Sequence, residues 1–324
     1  MSVNRGYSAA TLLGNGTVLI VGGNQGPAEI YNPATEKFRT TGPASMWVDD
    51  TLAVPIKGGR VLIDGMGSDA PALMYDSATD SFSNTGPNLI DPDRGAMVLL
   101  KSGKVLVVGG SAQVSRANPS GVSRSAEIYD PATNKFTLTG SMRTAREGLA
   151  ATTLPDGRIL VAGGDDHDCD TCNHVFSSAE LYDPNSGKFS PTGSMNAQRT
   201  DATATLLDNG KVLIAGGQDE NGELSSAELY DPHSGKFSLT GSMTVGRLDH
   251  TGTLLKDGRV LVAGGDSTIA DTTAEIYDPA TGKFSPTGQM TADHVEGTAT
   301  LLSDGRVLIA GGGPAGTSAE LYWP

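Results

Sequence analysis

An all-β fold, a ring of seven four-stranded antiparallel blades forming one β-propeller, is what this sequence predicts on three observations. A unit of about fifty residues recurs along the whole chain, and a repeat of that period that cannot bury its own faces must stack on its neighbours. Turn dipeptides fall at fixed places within the unit. Its apolar runs are short and rich in Val, Ile, Leu and Thr, as strands are.

The period is read from near copies: SAELYDPNSGKFSPTGSM at 178–195, SAELYDPHSGKFSLTGSM at 226–243 and TAEIYDPATGKFSPTGQM at 273–290. Each follows a second block: TTLPDGRILVAGG at 152–164, TLLDNGKVLIAGG at 205–217 and TLLKDGRVLVAGG at 253–265. The glycine pair that ends this block counts seven copies: Gly22-Gly23, a degenerate Gly65-Met66, Gly109-Gly110, Gly163-Gly164, Gly216-Gly217, Gly264-Gly265 and Gly311-Gly312. Approximate blades are 1–46, 47–90, 91–142, 143–195, 196–243, 244–290 and 291–324, all in one domain.

Within a unit, the Thr/Leu run forms the first strand and the VLIAG-like run the second. Between them stands Asp-Gly or Asn-Gly (Asn15-Gly16, Asp156-Gly157, Asn209-Gly210, Asp257-Gly258, Asp304-Gly305), which predicts a two-residue type I′ hairpin turn. AELY and KFSPTG form the third and fourth strands. Asp-Pro-x-Ser/Thr-Gly joins them, with proline fixing φ and glycine supplying a left-handed position. Blade 7 stops at AELYWP, so the expectation is a three-stranded last blade with an open outer edge. The chain would then be a trimmed form lacking an N-terminal strand, either monomeric or weakly dimeric through that edge.

Composition excludes several classes. With 324 residues, 43 glycines, 19% charged residues and no apolar run near membrane-spanning length, no membrane partner is expected. A net charge of −14 should repel a polyanion, so no nucleic-acid partner is expected either. The opening MSVNRGYSAATLL lacks the long apolar stretch of a signal peptide.

A four-strand meander places the second-to-third loops and the crossovers between blades on one face of the disc. The loops run over 24–27, 67–71, 111–125, 165–178, 218–226, 266–273 and 313–318, longest in blades 3 and 4. Variable loops on a rigid scaffold are where binding resides. Two crossover positions carry the ionisable groups. One reads Arg5, Val48, Pro92, Arg146, Arg199, Arg247 and His294. Two residues later the series is Tyr7, Asp50, Arg94, Gly148, Asp201, Asp249 and Glu296.

Candidate ligand-binding residues are therefore Arg5, Arg94, Arg146, Arg199, Asp201, Arg247, Asp249 and Glu296, with Trp47 as a surface on which a sugar ring could stack. The arginines have an alternative reading, as repeat residues pairing with carboxylates or backbone carbonyls of the blades. His250 and His294 are candidate acid/base groups at the same rim.

Both cysteines lie in HDCDTCNH, residues 167–174, within the blade 4 loop. A Cys169–Cys172 disulfide pinning the loop is the preferred expectation, and it implies an oxidising, extracytoplasmic or secreted setting. The alternative is zinc or another transition metal on His167, Cys169, Cys172 and His174, although four ligands from eight residues would strain the loop. No cofactor is otherwise expected.

The glycine pair after the second strand, the tyrosine beyond it and the fourth-strand aromatic (Phe38, Phe82, Phe136, Phe189, Phe237, Phe284) resemble the Kelch-repeat family over essentially the whole chain. The chain departs from the usual pattern in carrying Phe where Trp is common and in the VLIDGMG of blade 2. The resemblance implies the propeller fold and three kinds of function, since Kelch propellers serve as protein-binding modules, sugar-processing enzymes and copper oxidases. A binding module for carbohydrate or protein is the leading expectation. An enzyme of mutarotase or lyase type using His250 or His294 is the alternative. A copper radical oxidase resembling galactose oxidase fits less well, because its Tyr–Cys link and ligand set have no counterpart with both cysteines in one loop.

Overall fold

The computed structural model of the chain describes residues 1–23, 26–42, 50–65, 71–111, 121–166, 174–265, 272–313 and 316–324. Blade 4 shows the unit: strands Ala150–Thr153, Ile159–Ala162, Ala179–Asp183 and Lys188–Pro191, each antiparallel to the next. Six blades have this four-stranded order, and blade 7 has three strands, ending at Ala319–Tyr322. The innermost strand of every blade touches those of its two neighbours. Ser8–Leu12 of blade 1 meets Thr298–Leu301 of blade 7 and closes the ring. No helix among the described residues is long and apolar enough to cross a membrane.

The second strand explains why the blades stack. Its side chains alternate between two faces, and both faces meet another blade, so VLIA at 212–215 is buried throughout. Seven apolar clusters result, one per seam. Leu160 and Ala162 pack against Val212 and Ile214 between blades 4 and 5, while Leu213 and Ala215 pack against Val260 and Val262 between blades 5 and 6. Each Val, Leu or Ile among them contributes about 1.5–3 kcal/mol on burial. Toward the rim, the third-strand tyrosine stacks on the fourth-strand phenylalanine in six blades, with centroids 4.8–4.9 Å apart.

The inner hairpin differs from its sequence expectation. In blade 4 the Leu154 N–H donates to Arg158 O at 2.8 Å and the Gly157 N–H to Leu154 O at 2.9 Å, so the loop has three residues. Only the glycine has positive φ, +93° at Gly157, whereas a type I′ turn needs it at both central residues. The aspartate serves otherwise: Asp156 Oδ1 accepts the Arg158 N–H at 3.0 Å. The outer turn is as expected, with Gly187 at φ +65°.

The glycine pair is a stitch between blades. The Gly164 N–H donates to Arg199 O of the next blade at 2.8 Å, and a Cβ on Gly163 would stand 2.3 Å from that same oxygen. A side chain there would force the seam apart. The blade 5 loop adds a small hairpin, Gln218–Asp219 with Gly222–Glu223, that the sequence did not announce.

Candidate functional site

Each crossover reaches the channel mouth through two residues with opposite fates. The first is drawn inward. Arg5, Arg146, Arg199 and Arg247 are at most 1% exposed. The Nη1 of Arg146 donates to Gly163 O at 2.7 Å and Ser178 O at 3.1 Å, its Nη2 donates to Ser178 Oγ at 2.8 Å, and Glu180 stands 3.5 Å away. Arg199 and Arg247 repeat this on Gly216, Ser226 and Glu228, and on Gly264, Thr273 and Glu275. Arg5 donates to Gly22 O at 2.8 Å and pairs with Glu29 at 3.2 Å. Burial lowers the pKa of all four, opposed by the glutamate in each case.

At Arg5, Arg146, Arg199 and Arg247 the guanidinium groups cap carbonyls within their own blades, which is the pairing role given above as the other reading of this series. His294 takes the same place in blade 7, with Nδ1 2.6 Å from Gly311 O and Nε2 3.3 Å from Glu320. Being 1% exposed, it is withdrawn from the rim where an acid/base group would act.

The second position turns outward. Tyr7, Asp50, Arg94, Gly148, Asp201, Asp249 and Glu296 all have left-handed backbone, φ 46° to 58°, and all line a cavity of about 560 Å³ at the channel mouth. The positive φ carries the side chain away from the crossover path and into the channel. Backbone bonds tie consecutive members together: the Gly148 N–H donates to Arg94 O at 2.7 Å, Asp201 to Gly148 O at 2.8 Å and Glu296 to Asp249 O at 3.3 Å.

Among the described residues, four carboxylates and one guanidinium thus face this cavity. Arg94 donates to Glu147 Oε1 at 2.7 Å and to both oxygens of Asp201 at 3.0 and 3.1 Å, with Asp165 at 3.7 Å. Burial works against its charge, but Asp201, Glu147 and Asp165 more than offset this. Asp50 has a pKa pushed well up, first by burial and then by the neighbouring Asp93 carboxyl. The Tyr7 hydroxyl, hydrogen-bonded to Glu296, is also raised, and the ring is 47% exposed at the rim. His250 lies in the wall with Nε2 3.0 Å from Thr203 Oγ1. Burial, then Arg247, pushes its pKa down to about 3, so it is neutral at ordinary pH.

Glu147, Asp165, Thr200 and Asp93 escaped sequence reasoning. Thr200 Oγ1 donates to Asp165 Oδ2 at 2.7 Å, and Ser111 Oγ to Asp93 Oδ2 at 3.0 Å. Their one signal was adjacency, since Asp93, Glu147 and Thr200 sit between the two crossover positions and Asp165 follows a glycine pair. Trp47, His167, Cys169 and Cys172 lie outside the described residues. His174 is 60% exposed, 3.6 Å from Asp166. Among the described residues no group of three or more His, Cys, Asp or Glu is arranged to hold a metal.

Residues 149–196 and 202–244, blades 4 and 5, match the Kelch motif. Two of the repeats thus match a Kelch motif. Over 98 residues it is 36% identical to the spermatocyte protein spe-26 of Caenorhabditis elegans, a match spanning 30% of this chain and 16% of that protein. A fungal alcohol oxidase of the AA5 family, solved in complex with copper, superposes with a TM-score of 0.53 at 18% identity, over 86% of this chain and 74% of that one. That likeness concerns the propeller fold.

Proposed function

We propose that this Kelch propeller is a carbohydrate-binding module whose ligand seats in the channel mouth. The observation that carries the reading is the outward ring: seven equivalent left-handed positions line one cavity of about 560 Å³, six of them with Tyr, Asp, Arg or Glu side chains. A concave site with a few converging polar groups is the ordinary form of a small-ligand site. Carboxylates accept paired hydroxyl donors, Arg94 offers donors beside them, and the half-exposed Tyr7 ring supplies a face for a sugar. Four carboxylates against one guanidinium disfavour an acidic ligand. With His250 neutral and His294 withdrawn, binding without chemistry is the better-supported reading.

A glycan array with the whole chain, followed by calorimetry on the hits, tests this. Asp201→Asn with Asp249→Asn should weaken the best glycan at least roughly tenfold, about 1.4 kcal/mol, with the melting temperature preserved and the sugar recovered unchanged. Equal binding by wild type and the double variant, or no glycan bound at all, would overturn it.

A further inference from the structure

In blades 1, 4, 5 and 6 the third-strand glutamate meets its own blade's arginine at 3.2–3.5 Å, and in blade 7 Glu320 meets His294 at 3.3 Å. Blade 2 replaces the glutamate by Leu73, and its sequence has Val48 where the arginine would stand. Blade 3 breaks the pairing on one side only. It keeps Glu127, has Pro92 at the arginine position, and carries its arginine two residues later as Arg94, which belongs to the mouth.

Glu127 is therefore a fully buried carboxylate without its cation. One oxygen accepts the Leu89 N–H at 2.9 Å, while Oε1 has no hydrogen-bond partner. Facing it from blade 2 is Asp64, 3% exposed, on the second strand where the other blades have Val21, Val108, Ala162, Ala215, Ala263 and Ala310. Asp64 accepts the Gly65 N–H at 3.0 Å and two long contacts of 3.4 Å from Asn88. Among the described residues the remaining charged group named at the joint is Asp91 on the crossover, itself close to Asp93. All of these are acids. Among the described residues neither Glu127 nor Asp64 has an ion pair.

We propose that the seam between blades 2 and 3 is a proton-dependent joint, in which Glu127 and Asp64 are carboxylic acids in the closed fold and loosen the seam when they ionise. Two buried negative charges with no cation cost far more than two neutral acids, and a protonated Glu127 gains a donor on the oxygen that now lacks a partner. Burial, reinforced by Asp91 at Asp64 and by Asp64 at Glu127, raises both pKa values to about 7. The folded values lie above the unfolded ones, so between them the fold binds more protons than the open chain. The pair stabilises the seam fully below pH 4, and this is lost as pH rises through 7. The same crossover carries Arg94, which lines the mouth.

Hydrogen exchange of the whole chain, corrected for the intrinsic pH effect, tests the joint. In the wild type, protection of strands Arg60–Asp64 and Val105–Val108 should fall roughly tenfold or more between pH 5.5 and 8, relative to Val212–Ala215 of blade 5, since each pKa unit is a factor of ten. Glu127→Gln and Asp64→Val, the latter restoring the residue of blades 1 and 3, should each diminish the difference by removing one of the two acids, and the double variant should abolish it. A pH response undiminished in both single variants or persisting in the double variant, or equal responses of the two seams in the wild type, would overturn the proposal.

Discussion

Arg199 and Asp201 are two residues apart on one crossover and do opposite work. Arg199 is 1% exposed and bound to the Gly216 and Ser226 carbonyls and Glu228, while Asp201 is left-handed and lines the cavity. A charged residue beside the channel mouth does not thereby line it. What separates them is backbone: the left-handed residue reverses the chain's lean and sends its side chain the other way.

Breaking the inner member should have the largest effect. Arg199→Ala strands Glu228 without its cation and uncaps two carbonyls, so the fold should lose about 3–5 kcal/mol in denaturant unfolding. Gly163→Ala attacks the partner of the same stitch, adding a Cβ 2.3 Å from Arg199 O at φ +69°, and should cost about 1–3 kcal/mol. A change smaller than that would mean the blades slide apart without cost.

His250 sharpens the comparison through pH. Its folded pKa of about 3 lies below the unfolded value, so the stability it lends is present above pH 6.5 and lost as pH falls from there toward 3. His250→Gln should flatten that limb of a melting-temperature profile, the opposite limb to that of the blade 2–3 seam. The smallest stability effect is expected at the outer ring. Asp249→Gly places there the residue blade 4 already has as Gly148, so stability should move by no more than about 0.5–1 kcal/mol. Glycan affinity should nevertheless drop, and a large stability loss would make the outer ring structural after all.

Much of the fold was legible from residues whose role is local. The seven units follow from the glycine pairs and the recurring AELYDP segments. The inner turn was read one residue short, because Asp-Gly is compatible with two loop lengths and only the strand register, Leu154 opposite Arg158, distinguishes them. In the site, both crossover series were visible as aligned positions. Which one faced the channel was not, since both alternate in a segment without regular periodicity. Glu147 and Asp165 gave almost no signal, because they become partners of Arg94 only when blades 3 and 4 lie side by side.

By itself the sequence determined what repeats: strand order, the number of blades, the turn residues and the three-stranded seventh blade, all set by short-range sterics and by apolar patterning. The tertiary structure decided what the exceptions mean. Pro92 in place of an arginine, Asp64 among valines and alanines, and Arg94 moved two residues are single substitutions when read along the chain. Only packing one blade on the next shows that, among the described residues, they leave Glu127 without a cation and place Arg94 of the mouth among carboxylates, because burial and electrostatic pairing depend on neighbours far away in sequence.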